Sequence, residues 1–281
     1  MEFRTKVDIP KPNFKIRPGE HMLFVGSCFA ANIGKRFVEE HFQATVNPFG
    51  VMYNPASVLH TVERMADPFQ TVVMTLGTNH VYIEKTTGEI VDNCRKRPQY
   101  LFDESELSIE ECAAYLDKAI QLLQAVNPDV HIILTVSPIR YAKYGYHESQ
   151  LSKATLLMAA NEVVRANSDN VVYFPAYEIV NDELRDYRFY KSDMLHPNEQ
   201  AVEYIWERLV ERYFSADAKK FLEEWRPVKE AFAHRPFNPE SQEYKVFIAK
   251  AEEKARQLEM RYHLSLFFPV WGLNETDNEY N

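Results

Sequence analysis

Ser27, Asp193 and His196 are residue types that together can move an acyl group. A serine hydroxyl needs a base, usually a neutral imidazole, and the imidazole needs a carboxylate on its other nitrogen to fix its tautomer and stabilise the imidazolium. In Asp193-Met194-Leu195-His196 the carboxylate and the ring are close enough to share one turn. A helix predicted to begin at Asn198 or Glu199 places its positive dipole end nearby, which disfavours imidazolium and keeps the base neutral. The oxyanion of such a reaction would be held by the N–H groups of Ser27 and Gly50 and the amide of Asn79; losing one donor typically costs about 10²–10³ in rate. Tyr53, His80, Arg140 and Arg188 are candidate substrate contacts. Plainer roles stand beside these: Ser27 as a helix cap, Gly50 as a positive-φ position, Asn79 as a turn residue, Asp193 and His196 as a capping segment, the arginines as surface ion-pair partners. Cys28 competes as nucleophile, because a thiolate at a helix N-terminus is activated. Burial is the commoner fate of a free cysteine, so Ser27 is preferred.

These residues need a scaffold that gathers distant loops at one edge. Met22 to Val25 is an apolar run that reads as a buried strand, and after Ser27 the residues Phe29, Ala30, Ile33 and Phe37 recur on one helical face. Gly26-Ser27 is therefore a tight strand-to-helix turn, where the serine is expected to be presented rather than buried. Residues 43–46 form a short strand candidate, followed by a loop over 47–55 around Gly50. TVVMTL (71–76) and HIILTV (131–136) are apolar without alternation, as in strands covered on both faces, and 170–174 adds another strand. Residues 83–103 read as a hairpin or long loop. Helices are predicted over 108–125, 152–166 and from 198 or 199 to 214. Strand and helix in alternation favour a doubly wound, mainly parallel α/β sheet, whose crevice lies at the carboxyl ends of its strands.

Residues 1–20, with Pro10, Pro12 and Pro18 among charges, read as an extended lead-in on the surface. One domain then spans 21–215. Residues 216–281 are a helical extension in which Trp225-Arg226-Pro227 breaks one helix and a second helical pattern covers 239–262; it packs on the domain or on a second subunit. The closing NETDNEYN is expected to be disordered.

A chain of 281 residues, 46% hydrophobic and 26% charged, suits one large α/β domain plus an appendage. A net charge of −9 argues against a nucleic-acid partner or an anionic membrane surface, both of which need a basic patch. No signal-peptide apolar core and no run of 18 uncharged apolar residues is found, so a cytoplasmic location is expected. Cys28, Cys94 and Cys112 contain no CxxC, and the nine histidines no HExxH, which leaves a metal site without support. GxGxxG, GxxxxGK[ST] and GxSxG are absent, and no cofactor is expected.

VGSCFA resembles the signature for which the GSCFA family is named, a group related to the SGNH (GDSL-like) hydrolases. The similarity continues through NPFGVMYNP, TLGTNHVY, VDNCRKRP, SPIRY, Ser152-Lys153-Ala154 and YRFYKSDMLHPNEQAVEYIWE. It implies a flavodoxin-like, three-layer α/β/α domain with a serine nucleophile at Ser27, oxyanion donors at Gly50 and Asn79, and acid and base at Asp193 and His196. The first block reads GSC where SGNH proteins have GDS, and the third GTNH where they have GxND. The leading expectation is a serine esterase that cleaves an O-acyl ester, such as an acetyl ester of a carbohydrate or small metabolite, through an acyl-enzyme on Ser27. Two alternatives stay open: acyl transfer by the same triad, and a non-catalytic carbohydrate-binding or scaffold protein.

Overall fold

The computed structural model describes residues 4–65, 67–94 and 97–264; NETDNEYN and the Arg95-Lys96 pair of VDNCRKRP lie outside the described residues. Along the chain, β1 (His21–Gly26) turns into α1 (Cys28–Glu39), followed by β2 (Gln43–Val46), α2 (Pro55–Glu63) and β3 (Thr71–Leu76). Next come β4 (His80–Glu84), β5 (Ile90–Val91), β6 (Phe102–Glu106), α3 (Ile109–Val126), β7 (His131–Val136), α4 (Tyr146–Ala166) and β8 (Val171–Tyr173). The short α5 (Ala176–Glu178), then α6 (Glu199–Tyr213), α7 (Ala216–Ala233) and α8 (Gln242–Tyr262) complete the order. The chain forms two compact units, one ending at Ser215 and the other beginning at Ala216.

The first unit is built on a parallel sheet of order β2-β1-β3-β7-β8. Its order reverses at β1, which has β2 on one side and β3 on the other, so the carboxyl ends of β1 and β3 flank the crevice of a doubly wound sheet. Alternation along each strand sends side chains to both faces. Leu23, Val25, Val72, Met74, Ile132 and Leu134 join a core with Leu59 of α2, Ile120 of α3 and Leu156 of α4. On the other face Phe24 meets Phe37 of α1 at 4.7 Å between ring centroids, and Phe37 meets Trp206 of α6 at 4.8 Å. Burying each such aromatic contributes roughly 2–3 kcal/mol. The expected three-layer α/β/α architecture with C-terminal helices is the one observed.

Several local expectations are corrected. The lead-in is extended but does not lie wholly on the surface: Ile9, Phe14 and Ile16 are buried, and Phe14 stacks on His131 at 4.2 Å. The prolines and charges masked three apolar anchors. The hairpin read within 83–103 does form, β4 and β5 pairing antiparallel around Thr86-Thr87-Gly88, but β6 adds to it as a third strand in the order β5-β4-β6, and its polar sequence FDESE carries no hydrophobic pattern to betray it. Helix α4 begins at Tyr146, after Gly145 at φ +91°, six residues before the predicted start. Helix α2, which the reading of 47–55 left undetected, starts from Asn54, whose Oδ1 accepts the Ser57 N–H, with Pro55 at the first helical position. Pro227 does not break its helix: α7 continues to Ala233, because Phe221 and Trp225 before it and Val228 and Phe232 after it are all buried. That burial outweighs one missing helical hydrogen bond. No described helix is long and apolar enough to cross a membrane.

Candidate active site

The strand-to-helix turn after β1 depends on Gly26. Its φ of +134° and the approach of Thr75 leave no room for a side chain: a Cβ would lie 2.1 Å from Thr75 O. This contact brings the Ser27 N–H to Thr75 O and Oγ1, both at 3.0 Å. The Ser27 hydroxyl lies 3.0 Å from Thr75 Oγ1 and accepts the Phe29 N–H at 3.2 Å, so it caps α1. Ser27 is only 2% exposed, which corrects the expectation of a presented serine. It nevertheless borders a cavity of about 240 Å³ at the carboxyl ends of β1, β3 and β7, together with Cys28, Tyr53, Gly77, Ser137, Arg140, Tyr141, Lys143 and His196.

The loop preceding α6 carries the acid and base. Asp193 Oδ1 accepts the N–H groups of Leu195 (2.8 Å) and His196 (3.0 Å), while Oδ2 lies 2.6 Å from His196 Nδ1. Those two backbone bonds, followed by the bond to the ring, hold the Asp193 carboxyl down at about 2, so it is ionised at neutral pH. Binding at Nδ1 leaves Nε2 as the ring nitrogen free to serve the cavity. Met194 takes a positive φ of 58°, and Arg140 ties the loop down by donating from its backbone to Leu195 O and from Nη1 to Met194 O, each at 3.0 Å. Asn198 then caps α6 through Ala201 N–H.

The remaining sequence candidates divide. Tyr53 and Arg140 line the cavity. Tyr53 OH lies 3.9 Å from Cys28 Sγ, and burial together with that thiol pushes the phenol up to about 12. Gly50, at φ +96°, has its N–H engaged by Asn47 O at 2.9 Å. Asn79 is 3% exposed and its amide donates to Leu107 O at 2.9 Å, leaving Oδ1 buried without a partner among the described residues. His80 stacks on Tyr144 at 4.1 Å, and the Arg188 guanidinium lies over Phe189 at 4.9 Å; neither borders the cavity.

Several wall residues were absent from the sequence candidates. Lys143 donates to Glu104 at 2.8 Å and Tyr144 at 3.0 Å; burial opposes its charge, but these bonds outweigh it and raise its pKa. Gly77, Ser137, Ile139, Tyr141, Ala142 and Leu195 belong to the same wall. Behind them Lys153 is buried, with Nζ 2.6 Å from Gly77 O and 2.8 Å from Ser137 O. One signal marked it: Lys153 falls on the same helical stripe as Ser149, Leu156, Ala160 and Val163, the buried face of α4.

The model of the GSCFA family matches residues 21–71 and 65–209, and that of the GSCFA domain protein C-terminal domain matches residues 225–266. No curated protein matches the sequence. Among solved structures, one similar fold is a GDSL-like lipase from Bacteroides thetaiotaomicron, at 14% identity over 73% of this chain and 88% of that chain, with a TM-score of 0.44. Another is a catalytic mutant of an acetylxylan esterase from Geobacillus stearothermophilus, at 13% identity over 71% of this chain and 96% of that chain, with a TM-score of 0.45.

Proposed function

This chain belongs to the GSCFA family, and from that premise we propose that it is a serine hydrolase that cleaves an O-acyl ester of a carbohydrate or other small metabolite. The carrying observation is the Asp193–His196 pair, 2.6 Å between Oδ2 and Nδ1, on a loop whose imidazole shares one cavity with Ser27. Ser27 Oγ leaves Thr75, adds to the acyl carbon and gives its proton to His196 Nε2. Collapse of the tetrahedral species expels the alcohol, which takes that proton, and leaves an ester on Ser27. A water that His196 deprotonates then releases the acid and regenerates the serine. Asp193 stays ionised throughout and steadies the imidazolium.

With the N–H groups of Ser27 and Gly50 bonded to Thr75 O and Asn47 O, and Asn79 outside the cavity wall, the oxyanion falls to the first turn of α1, where Cys28 borders the cavity and its N–H points with the helix dipole. Apo catalytic bonds are often long and tighten only with substrate, which accommodates a hydroxyl parked on Thr75. The test is labelling of the purified protein by a fluorophosphonate probe, with hydrolysis of short-chain aryl esters in parallel. Labelling and turnover are expected in the wild type and absent from Ser27→Ala; unchanged labelling of that variant would move the nucleophile elsewhere, first to Cys28.

A further inference from the structure

Lys153 has no role in the chemistry above, yet it is the one lysine of α4 turned wholly inward, 2% exposed, and no carboxylate is within ion-pair reach among the described residues. A buried ammonium without a counter-charge is expensive, and an apolar side chain would fill the same space at less cost. Its hydrogen bonds explain where that cost is directed. Nζ holds Gly77 O at 2.6 Å and Ser137 O at 2.8 Å, the first residues after β3 and β7, and both residues wall the cavity. Gly77 is also the backbone on which Ser27 rests: a Cβ built there would lie 3.4 Å from Ser27 Cβ. The neighbours of Lys153 grip the same two turns. Ser152 Oγ accepts the Asn79 N–H and meets Thr78 Oγ1, each at 3.0 Å, and Ser149 Oγ accepts the Tyr141 N–H at 3.2 Å.

We propose that Lys153 is a positioning residue for the Ser27 reaction, clasping the Gly77 and Ser137 carbonyls so that both turns stay against Ser27, and holding a positive charge beneath the forming oxyanion. This rests on the esterase reading of Ser27. The clasp and the charge are separable. A neutral amine still has two N–H groups for two carbonyls, so deprotonation keeps the clasp and removes the charge. Burial alone brings the Lys153 pKa down to about 7; the titratable or charged groups on the elements packed around it (His80, Cys112, Tyr115, Asp117, Arg140, Tyr141 and Tyr173) add no shift. The charge should therefore leave as pH rises through that value, and activity with it.

The experiment measures kcat and KM for a short-chain aryl ester from pH 5.5 to 9.5 on wild type and Lys153→Met, with fluorophosphonate labelling and thermal melts of both. The wild type is expected to show a kcat/KM limb falling near the Lys153 pKa. Folded Lys153→Met is expected to lose about tenfold or more in kcat, the scale of a displaced electrostatic group, with KM nearly unchanged and that limb gone. A folded variant with wild-type kcat, or with reduced kcat but the wild-type pH shape, overturns the proposal, since a merely structural lysine would leave the profile alone. Should Lys153→Met fail to fold, the wild-type profile decides: a falling limb supports the proposal and a flat one overturns it. Wild type that neither labels nor hydrolyses would remove the Ser27 reading first, and this inference with it.

Discussion

Lys153 also makes a prediction about stability that does not depend on any reaction. Folding takes its pKa from the ordinary 10.5 to about 7 by burial. Below the folded value both states carry the proton, and the burial penalty is present in full. Above the unfolded value neither does, and the penalty is gone. Between them only the unfolded chain binds the proton, so this residue makes wild-type stability rise with pH, by about 1.4 kcal/mol per pH unit. From pH 7 to 9, starting half-titrated, the gain is about 2 kcal/mol, a factor of about 30 in the folded-to-unfolded ratio. In Lys153→Met that slope is absent, while the cost of two unpaired carbonyls, about 1–3 kcal/mol each, is independent of pH. Urea denaturation of both proteins at pH 7 and 9, followed by circular dichroism, isolates the effect, because every other titrating group cancels in the difference. Relative to wild type the variant should lose about 2 kcal/mol between the two pH values. Parallel pH dependences would refute a buried lysine with a depressed pKa.

Two further substitutions probe the turn that holds Ser27. Gly26→Ala would drive a Cβ to 2.1 Å from Thr75 O at a φ of +134°, so β1 and β3 must part; a stability loss of about 3 kcal/mol or more, seen as lost soluble yield or a lower Tm, is expected, and a wild-type melt would contradict the described turn. Thr75→Val keeps the volume but removes the hydroxyl that meets both Ser27 N–H and Ser27 Oγ at 3.0 Å. It should cost about 1 kcal/mol in stability and slow fluorophosphonate labelling with little change in KM; labelling at the wild-type rate would show that Thr75 does not steer the serine.

What the sequence alone determined was what is local in the chain. TVVMTL and HIILTV announce buried parallel strands because a β-branched apolar run fits a sheet covered on both faces, and Phe29, Ile33 and Phe37 announce α1 by their spacing. Asp193 and His196 meet because the bonds that bring them together span two or three residues, and Asn198 caps the helix behind them for the same reason. Where periodicity was weak or covered by polar residues, the strand FDESE escaped notice, and so did the burial of Ile9, Phe14 and Ile16 in the lead-in.

Only the tertiary structure decided which buried polar groups satisfy one another. The Asn79 amide is drawn to Leu107 O, 28 residues away, and Lys153 reaches carbonyls 76 and 16 residues away. Ser27 turns its hydroxyl to Thr75, 48 residues on, rather than to open solvent. Each choice follows from strand register and from the way α4 packs on the sheet. A buried donor must take whichever acceptor that packing sets beside it, and a one-dimensional pattern of residue types does not encode which one that is.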